Sequence, residues 1–216
     1  MPISRAEQHI HPVGAADRLL YQDGRMKLHL ATTPAANALL ADDPLALLVG
    51  MLLDQQIPME KAFTSPQVLA ERLGVPRLDA ALIADHDAAS FEELFRRVPA
   101  LHRFPAAMAK RVKELCRALV EQYDGDTASV WTTAADGPEL VKRIAGLPGF
   151  GEQKARIFTA LLGKQFGVRP PGWEKAAAAY GESGSFRSVA DVVDGESLKK
   201  VRDFKKQAKA AAKAST

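Results

Sequence analysis

The sequence predicts an all-α protein with two helical lobes. Apolar residues recur at helical spacing through most of the chain after residue 36, and prolines stand where several of these patterns begin. Only one short segment, near the amino terminus, alternates as a β-strand does. The chain has 216 residues, of which 47% are hydrophobic and 25% charged. This composition is typical of a globular chain and excludes collagen, long disorder and a coiled coil.

The first half of the chain contains a weak indication of a β-hairpin and a strong indication of a buried helix. The stretch RLLYQDGRMKLHL predicts a short hairpin that turns at Asp23 and Gly24. Asp43 followed by Pro44 is typical of a helix start, because proline lacks only an amide hydrogen that the first turn leaves unpaired. The apolar run after it predicts a buried helix that ends before Pro58.

Two further helices are predicted in the middle of the chain. Ser90 and Glu93 fit a capping box for a short helix through Val98. Pro105 starts a longer helix whose apolar side chains form one stripe. Cys116 lies in that stripe, so we expect it to fill the core rather than to act in redox or nucleophilic chemistry. The stripe consists of Met108, Val112, Leu115, Cys116, Leu119, Val120 and Tyr123.

The second half contains two helices that are joined by a glycine-rich link. They run from Pro138 to about Ala145 and from Glu152 to about Gln165, and GLPGFG lies between them. So short a link predicts a tight helical hairpin. The extended stretch VRPPGW then leads to a short alanine-rich helix ending at Tyr180, and the last helix begins near Glu196.

Composition also limits the cofactors and the location. The single cysteine excludes an intramolecular disulfide, a multi-cysteine zinc site and a four-cysteine iron–sulfur cluster within this chain. His9 and His11 could share a metal ion but lack a third ligand, so we expect neither a metal nor another cofactor. The amino terminus has no apolar signal segment and the longest apolar run is too short to cross a bilayer. We therefore expect a cytoplasmic protein, associated with the nucleoid, that makes no membrane contact.

Charge is distributed unevenly along the chain. The net charge is +3, yet residues 199 to 216 alone hold seven basic residues against one acidic residue, Asp203. A basic end on a slightly acidic body indicates a polyanionic partner, although a solvated helix face accounts for the same pattern.

The link LPGFG is the most informative segment. Gly149 and Gly151 allow a tight turn and leave its amide hydrogens uncovered, at the start of the helix that begins at Glu152. Such a helix start favours an anion such as phosphate. Lys154, Arg156 and Lys164 add positive charge nearby. The alternative is a plain turn between helices with glycine caps.

Three segments, in order, resemble one known family. LPGFGEQKARIFTALL resembles the helix-hairpin-helix of the DNA glycosylase superfamily (HhH-GPD) typified by endonuclease III and 3-methyladenine DNA glycosylase II. LLVGMLLDQQIPMEKAF resembles the helix of that family that ends in a glutamine pair, and LHRFPAAMAKRVKELCRAL resembles its later lysine-bearing helix. The resemblance covers about residues 40 to 175, and it is greatest to a small, cluster-free actinobacterial branch.

The resemblance implies how DNA would be bound. Hairpin amides would hold a phosphate, and one nucleotide would rotate into a cleft between a lobe of residues 41–162 and a lobe of residues 1–40 plus 163–216. Gln55 and Gln56 would fill the gap left in the base stack, or alternatively cap the helix before them. The DNA contacts that we expect are Leu147, Gly149, Phe150, Gly151, Gln153, Lys154, Gln55, Gln56, His102 and Lys110. For His102, which precedes Arg103 in a turn, simple packing of the turn is the alternative.

The implied chemistry departs from the family at two positions. Where bifunctional members have a nucleophilic lysine this chain has Gln153, with Lys154 one residue later, so we expect no Schiff-base lyase. The family's aspartate, about twenty residues beyond the hairpin, corresponds to Pro171. Glu174 is the nearest carboxylate; an ordinary surface role, lost chemistry or a carboxylate from another segment are the alternatives. Trp173 could stack on an extruded base or anchor the lobes to each other.

We therefore predict a monomeric, monofunctional DNA glycosylase-like protein of base excision repair, acting on damaged double-stranded DNA without metal or cluster. One alternative is a non-catalytic lesion-binding protein on the same scaffold. Another is a helical interaction module whose basic tail contacts RNA or an acidic protein. The residues do not identify the lesion.

Overall fold

A computed structural model describes the backbone of residues 21–22, 25–26 and 28–214, and the side chains of residues 28–211. The described part is mainly helical, which confirms the predicted fold class. Two short strands, β1 (Tyr21–Gln22) and β2 (Arg25–Met26), pair antiparallel on either side of the predicted turn. His9 and His11 lie outside the described residues. The helices are α1 (Pro34–Asp42), α2 (Pro44–Leu53), α3 (Met59–Leu73), α4 (Ala80–Asp85), α5 (Ala88–Arg96), α6 (Pro105–Tyr123), α7 (Ser129–Thr132), α8 (Gly137–Ala145), α9 (Glu152–Gln165), α10 (Trp173–Ala176) and α11 (Gly195–Ala214).

Helix α2 is the centre of the fold. Its first turn is capped as predicted: one carboxylate oxygen of Asp43 accepts hydrogen bonds from the amides of Leu45 and Ala46. The other oxygen accepts the amide of Leu78 at 2.8 Å, which ties the start of α4 to the start of α2. Every residue from Leu45 to Leu53 is buried, and α1, α3 and α6 pack around it. The carboxyl end of α2 therefore has a fixed position.

The predicted capping box at Ser90 and Glu93 is wrong. The cap of α5 is Asp87, whose carboxylate accepts both the amide and the hydroxyl of Ser90 at 2.8 Å. An aspartate three residues before Ser90 is as good a cap as serine, and the helix begins one turn earlier than predicted. It also ends earlier, at Arg96.

The stripe predicted on α6 packs into the core. Met108, Val112, Leu115, Cys116 and Leu119 are buried, and the last two members of the stripe are partly buried. Burial raises the pKa of the Cys116 thiol well above its ordinary value, which disfavours the reactive thiolate. The prediction that Cys116 fills the core is confirmed.

Helices α8 and α9 pack against each other, with residues 146–151 as the link between them. A short 3₁₀ turn, Val189–Asp191, packs on α9, where Lys164 pairs with the buried Asp191 at 2.6 Å. The carboxylate of Asp191 also accepts the amides of Arg187 and Ser188, so it serves to hold this turn. The division into lobes of residues 41–162 and of 1–40 plus 163–216 stays a prediction.

Neither a single membrane-spanning helix nor a cluster of metal-ligating side chains occurs among the described residues. No single helix there is long and apolar enough to span a membrane; only α1 and α2 taken together reach that length, and they are bent by 116°. The same residues contain no group of three or more histidine, cysteine, aspartate or glutamate side chains arranged to hold a metal ion.

Candidate nucleic-acid interface

The link between α8 and α9 is a tight turn with its side chains inside and its backbone outside. The amide of Phe150 donates to the carbonyl of Leu147 at 3.0 Å, and Gly149 has φ +83°. Proline followed by a residue with positive φ is typical of a type II turn. The side chains of Leu147 and Phe150 are buried, whereas Gly149 and Gly151 are exposed. Leu147 and Phe150 can therefore offer DNA only their backbone.

Gly149 is required by its backbone and by its neighbour. Its φ lies in the left-handed region, where residues with a side chain are strained. A Cβ atom at this position would lie 2.3 Å from Cδ1 of Leu52, the side chain that closes the end of α2. The turn therefore rests directly on α2. Gly151, by contrast, has φ −106° and open space around its hypothetical Cβ.

Helix α9 begins with unpaired amides that face solvent. No described residue accepts a hydrogen bond from the amides of Gly151, Glu152 and Gln153, and no side chain caps the helix at Gly151. These three residues are exposed. Free amides at the positive end of a 14-residue helix form an anion site.

One acidic side chain stands beside this helix start. The carboxylate of Glu152 pairs with Arg156 at 2.5 Å, one turn further along α9. This ion pair draws the carboxylate toward the second turn of α9, and the guanidinium of Arg156 offsets its negative charge. Arg156 also lines a groove of about 720 Å³ between α8 and the segment around α10, together with Asp136, Pro171 and Lys175.

Lys154 joins the hairpin to the end of α2. Its ammonium donates to the carbonyl oxygens of Met51 and Leu52, both at 3.0 Å. These carbonyls belong to the last turn of α2, where helices leave acceptors unpaired. Burial at this junction lowers the pKa of Lys154 to about 8, although the nearby carboxylate of Asp54 opposes the shift. Lys154 therefore holds two segments together and does not extend toward solvent.

The two glutamines that follow α2 have different environments. The side-chain nitrogen Nε2 of Gln55 donates to Leu52 O at 2.8 Å, and its side-chain oxygen accepts from Arg111 at 3.0 Å. Gln55 thus caps the helix, which is the alternative role considered for the pair. Gln56 is exposed, forms no side-chain hydrogen bond with the described residues, and has φ +57°. A left-handed glutamine is strained, and such strain is frequent at functional sites.

His102 supports this loop from beneath. Its Nε2 donates to the carbonyl of Gln55 at 2.9 Å, and its Nδ1 accepts the amide of Phe104 at 3.1 Å. The ring is buried, and burial lowers the pKa of His102, which favours the neutral form that this pattern requires. With both nitrogens engaged, His102 has no free donor for a phosphate, contrary to our expectation from the sequence.

Asp54 is a carboxylate that the sequence analysis did not single out. It follows α2 directly, is only partly exposed, and accepts no hydrogen bond from the described residues. Burial raises the pKa of Asp54, and the ammonium groups of Lys205 and Lys154 partly oppose that effect. A carboxylate therefore lies directly before residues 55–58, which we call the glutamine loop, and within electrostatic reach of Lys154 on α9.

The remaining predicted residues lie on α6, α9 and α10. Gln153 is exposed and donates to the hydroxyl of Tyr180 at 2.9 Å. Lys110 is exposed on α6, 3.8 Å from Glu114. Glu174 is exposed in the short helix α10. The ring of Trp173 packs on α9 where Gly163 leaves room for it, so the ring acts as an anchor; a Cβ there would lie 2.3 Å from it.

One comparison with known proteins identifies the family. The model of the HhH-GPD superfamily base excision DNA repair proteins matches residues 49–215, most of the chain. The chain belongs to this superfamily. No curated protein and no solved structure matches the chain. Membership makes DNA the partner and base excision repair the process, in agreement with the resemblance seen in the three segments.

Within this HhH-GPD protein, the structure brings the glutamine loop and the hairpin together and leaves Glu174 and Trp173 on a separate short helix. The sequence analysis missed Arg111, Tyr180 and Asp54, because each acts through a partner distant in the chain. The position of Asp54 directly before the glutamine pair is a sequence feature that could have indicated this carboxylate.

Proposed function

We propose that the protein binds damaged double-stranded DNA and hydrolyses the N-glycosidic bond of a damaged base without cutting the strand. One observation carries this proposal: the open helix start at Gly151 and the exposed Gln56 belong to segments that Lys154 ties together. A phosphate at the helix start and a side chain entering the base stack can then act on one distorted site.

The arrangement favours hydrolysis over lyase chemistry. A lyase needs a free amine next to the sugar. The residue in the family's lysine position is Gln153, and the neighbouring amine of Lys154 is bound to two carbonyl oxygens of α2. Neither side chain supplies an amine nucleophile at the hairpin.

The reaction requires a carboxylate that stabilises positive charge on the sugar or activates water. Glu174 is the candidate from the sequence, but it is exposed on α10. Asp54 is partly buried, directly precedes the glutamine loop, and interacts electrostatically with Lys154 of the hairpin helix, which favours it. We propose that one of these two carboxylates acts, and that Asp54 is the better placed.

A panel of duplexes, each with one damaged base, tests the activity. After incubation, one half of each sample is treated with alkali to cut at abasic sites and the other half is not. We expect strand cleavage only after alkali, for at least one lesion, and no borohydride-trapped complex. Cleavage without alkali, or a trapped complex, would contradict the monofunctional assignment.

A non-catalytic lesion-binding protein is the second candidate. The observation that favours it is Pro171, which stands where the family has its aspartate and begins a rigid turn into α10. Tight binding to an abasic-site analogue without release of any base in the panel would support this role. Binding to that duplex no tighter than to undamaged DNA would contradict both candidates and favour a general interaction module.

A further inference from the structure

The second half of α11 is a helix that the fold does not cover. Among the α11 side chains that the structure describes, Val201 is the last buried one, and every residue from Arg202 to Ala211 is exposed. Two contacts fix the side that faces the body: the guanidinium of Arg187 lies 5.4 Å from the ring centroid of Phe204, and the ammonium of Lys200 lies 4.8 Å from that of Phe186. The opposite side is open to a partner.

That open side is basic. At 100° per residue, five cationic side chains fall within an arc of roughly 120°, which begins about 40° from the direction of Val201 and ends about 160° from it. All five are exposed, and they extend over eleven residues, whose first and last Cα atoms lie about 15 Å apart along the helix. We name this set the basic face of α11; it consists of Lys199, Arg202, Lys205, Lys206 and Lys209.

The basic face begins beside the candidate DNA site. Arg202 pairs with Glu60 in the first turn of α3, which directly follows the glutamine loop. Lys205 is close enough to Asp54 to lower the pKa of that carboxyl. The Arg202–Glu60 pair and the electrostatic effect of Lys205 on Asp54 place α11 next to the glutamine loop, so a duplex held at that loop continues past the helix.

We propose that the basic face of α11 is a second DNA-binding surface, which contacts the phosphates of the duplex that flanks the site held by the hairpin. The occupant is the backbone of duplex DNA, since a row of exposed cations with few acceptors matches the row of phosphates along a strand. Each DNA strand presents one phosphate per 3.4 Å of axis, so 15 Å of helix spans about four phosphates. This inference rests on the proposed function in one respect: both assume that the protein binds the same DNA duplex.

The experiment measures how duplex affinity depends on salt. The variant Lys205→Gln/Lys209→Gln removes two charges from the face and keeps the Arg202 pair with Glu60. The matched control, Arg77→Gln/Arg117→Gln, removes two exposed charges from other parts of the surface. Each protein is titrated with an undamaged duplex and with the same duplex carrying an abasic-site analogue, at several salt concentrations.

We expect the first variant to reduce the slope of log affinity against log salt by about 1 to 2, because each lost phosphate contact contributes about 0.9. The reduction should be equal for both duplexes, and the control should keep the wild-type slope. Hydroxyl-radical footprints should also lose protection on one side of the lesion only.

The outcomes separate this inference from the proposed function. A wild-type slope in the Lys205/Lys209 variant, with lesion preference intact, would overturn the inference alone. A reduced slope without lesion preference in any of the proteins would support the inference and contradict the proposed function. Failure of the wild type to bind any duplex, or a variant that loses affinity only for RNA, would overturn the inference.

Discussion

The ammonium of Lys154 lies 3.0 Å from the carbonyl oxygen of Leu52, and the same leucine packs its side chain under Gly149. One residue at the end of α2 thus contacts both sides of the hairpin, the turn and the first turn of α9. The glutamine loop follows immediately. The two segments that the family resemblance assigns to DNA are consequently one structural unit, and most of the predictions below test that unit.

Replacing Lys154 by methionine tests the junction through its pH dependence. The pKa of Lys154 is about 8 in the folded chain and 10.5 is its ordinary value. Between these values the unfolded chain binds more protons at this site, so the free energy of unfolding rises with pH there, by at most about 3 kcal/mol. Denaturation of the wild type and the variant from pH 7 to 10.5 should show the rise only in the wild type. Parallel curves would contradict the buried ammonium.

Alanine at the two hairpin glycines should separate folding from binding. Gly149→Ala forces a left-handed alanine against Leu52 and should lower the free energy of unfolding by about 2 kcal/mol or more. Gly151→Ala meets no neighbour and should change stability by less than about 0.5 kcal/mol. Its methyl group nevertheless crowds the free amides, so affinity for abasic-analogue DNA should fall. Equal stability of the two variants, measured by urea denaturation, would be inconsistent with the described turn.

Alanine substitutions of Gln55 and Gln56 should likewise separate effects on stability from effects on DNA binding. Gln56→Ala removes an exposed side chain, so stability should not change while the preference for the abasic duplex weakens by about fivefold, or 1 kcal/mol. Gln55→Ala removes hydrogen bonds to Leu52 and Arg111 and should lower the free energy of unfolding by about 1 kcal/mol. Thermal melts and fluorescence titrations of both variants provide the comparison. A Gln56 variant with full lesion preference would remove Gln56 from the interface.

Asp54→Asn and Glu174→Gln distinguish the candidate carboxylates. Burial raises the pKa of Asp54, so between its ordinary and its folded value the folded chain binds more protons, and the charged form destabilises the fold at neutral pH. Asp54→Asn should therefore stabilise the protein at pH 7 and, having lost a negative charge, bind DNA more tightly. If Asp54 acts, this variant should release base at least about 100-fold more slowly despite tighter binding.

Glu174→Gln is the control for that measurement. Because Glu174 is exposed, we expect little change in stability and full base release. The reverse result, with release lost in Glu174→Gln and retained in Asp54→Asn, would assign the chemistry to Glu174. Release that survives in both variants would contradict the proposal for either carboxylate.

The helices were predictable where local chemistry decides them. Asp43 and Pro44 mark the start of α2, and the stripe that contains Cys116 marks the buried side of α6. The cap of α5 was mispredicted because Asp87 and Ser90 carry equivalent local signals, and only the structure shows which side chain is used. The family followed from three segments in order and is confirmed by the match over residues 49–215.

The site was less predictable because its side chains bind residues that are far away in the sequence. Lys154 follows the helix start like any surface lysine, yet it bonds to carbonyls more than a hundred residues earlier. His102 precedes an arginine in a turn and resembles a phosphate contact, but the packing of the α6 start against the glutamine loop buries it. No periodicity encodes such pairings, and neither does a motif.

Binding of DNA by the free amides at the start of α9 can be observed directly by NMR. In ¹⁵N–¹H spectra, a duplex with an abasic-site analogue is titrated into the protein, with a Gly151→Ala variant as the control. We expect the amide resonances of Gly151, Glu152 and Gln153 to shift strongly and to saturate at one duplex per protein. Saturable binding of the duplex that leaves these three resonances unmoved would contradict the proposal that the free amides hold a phosphate.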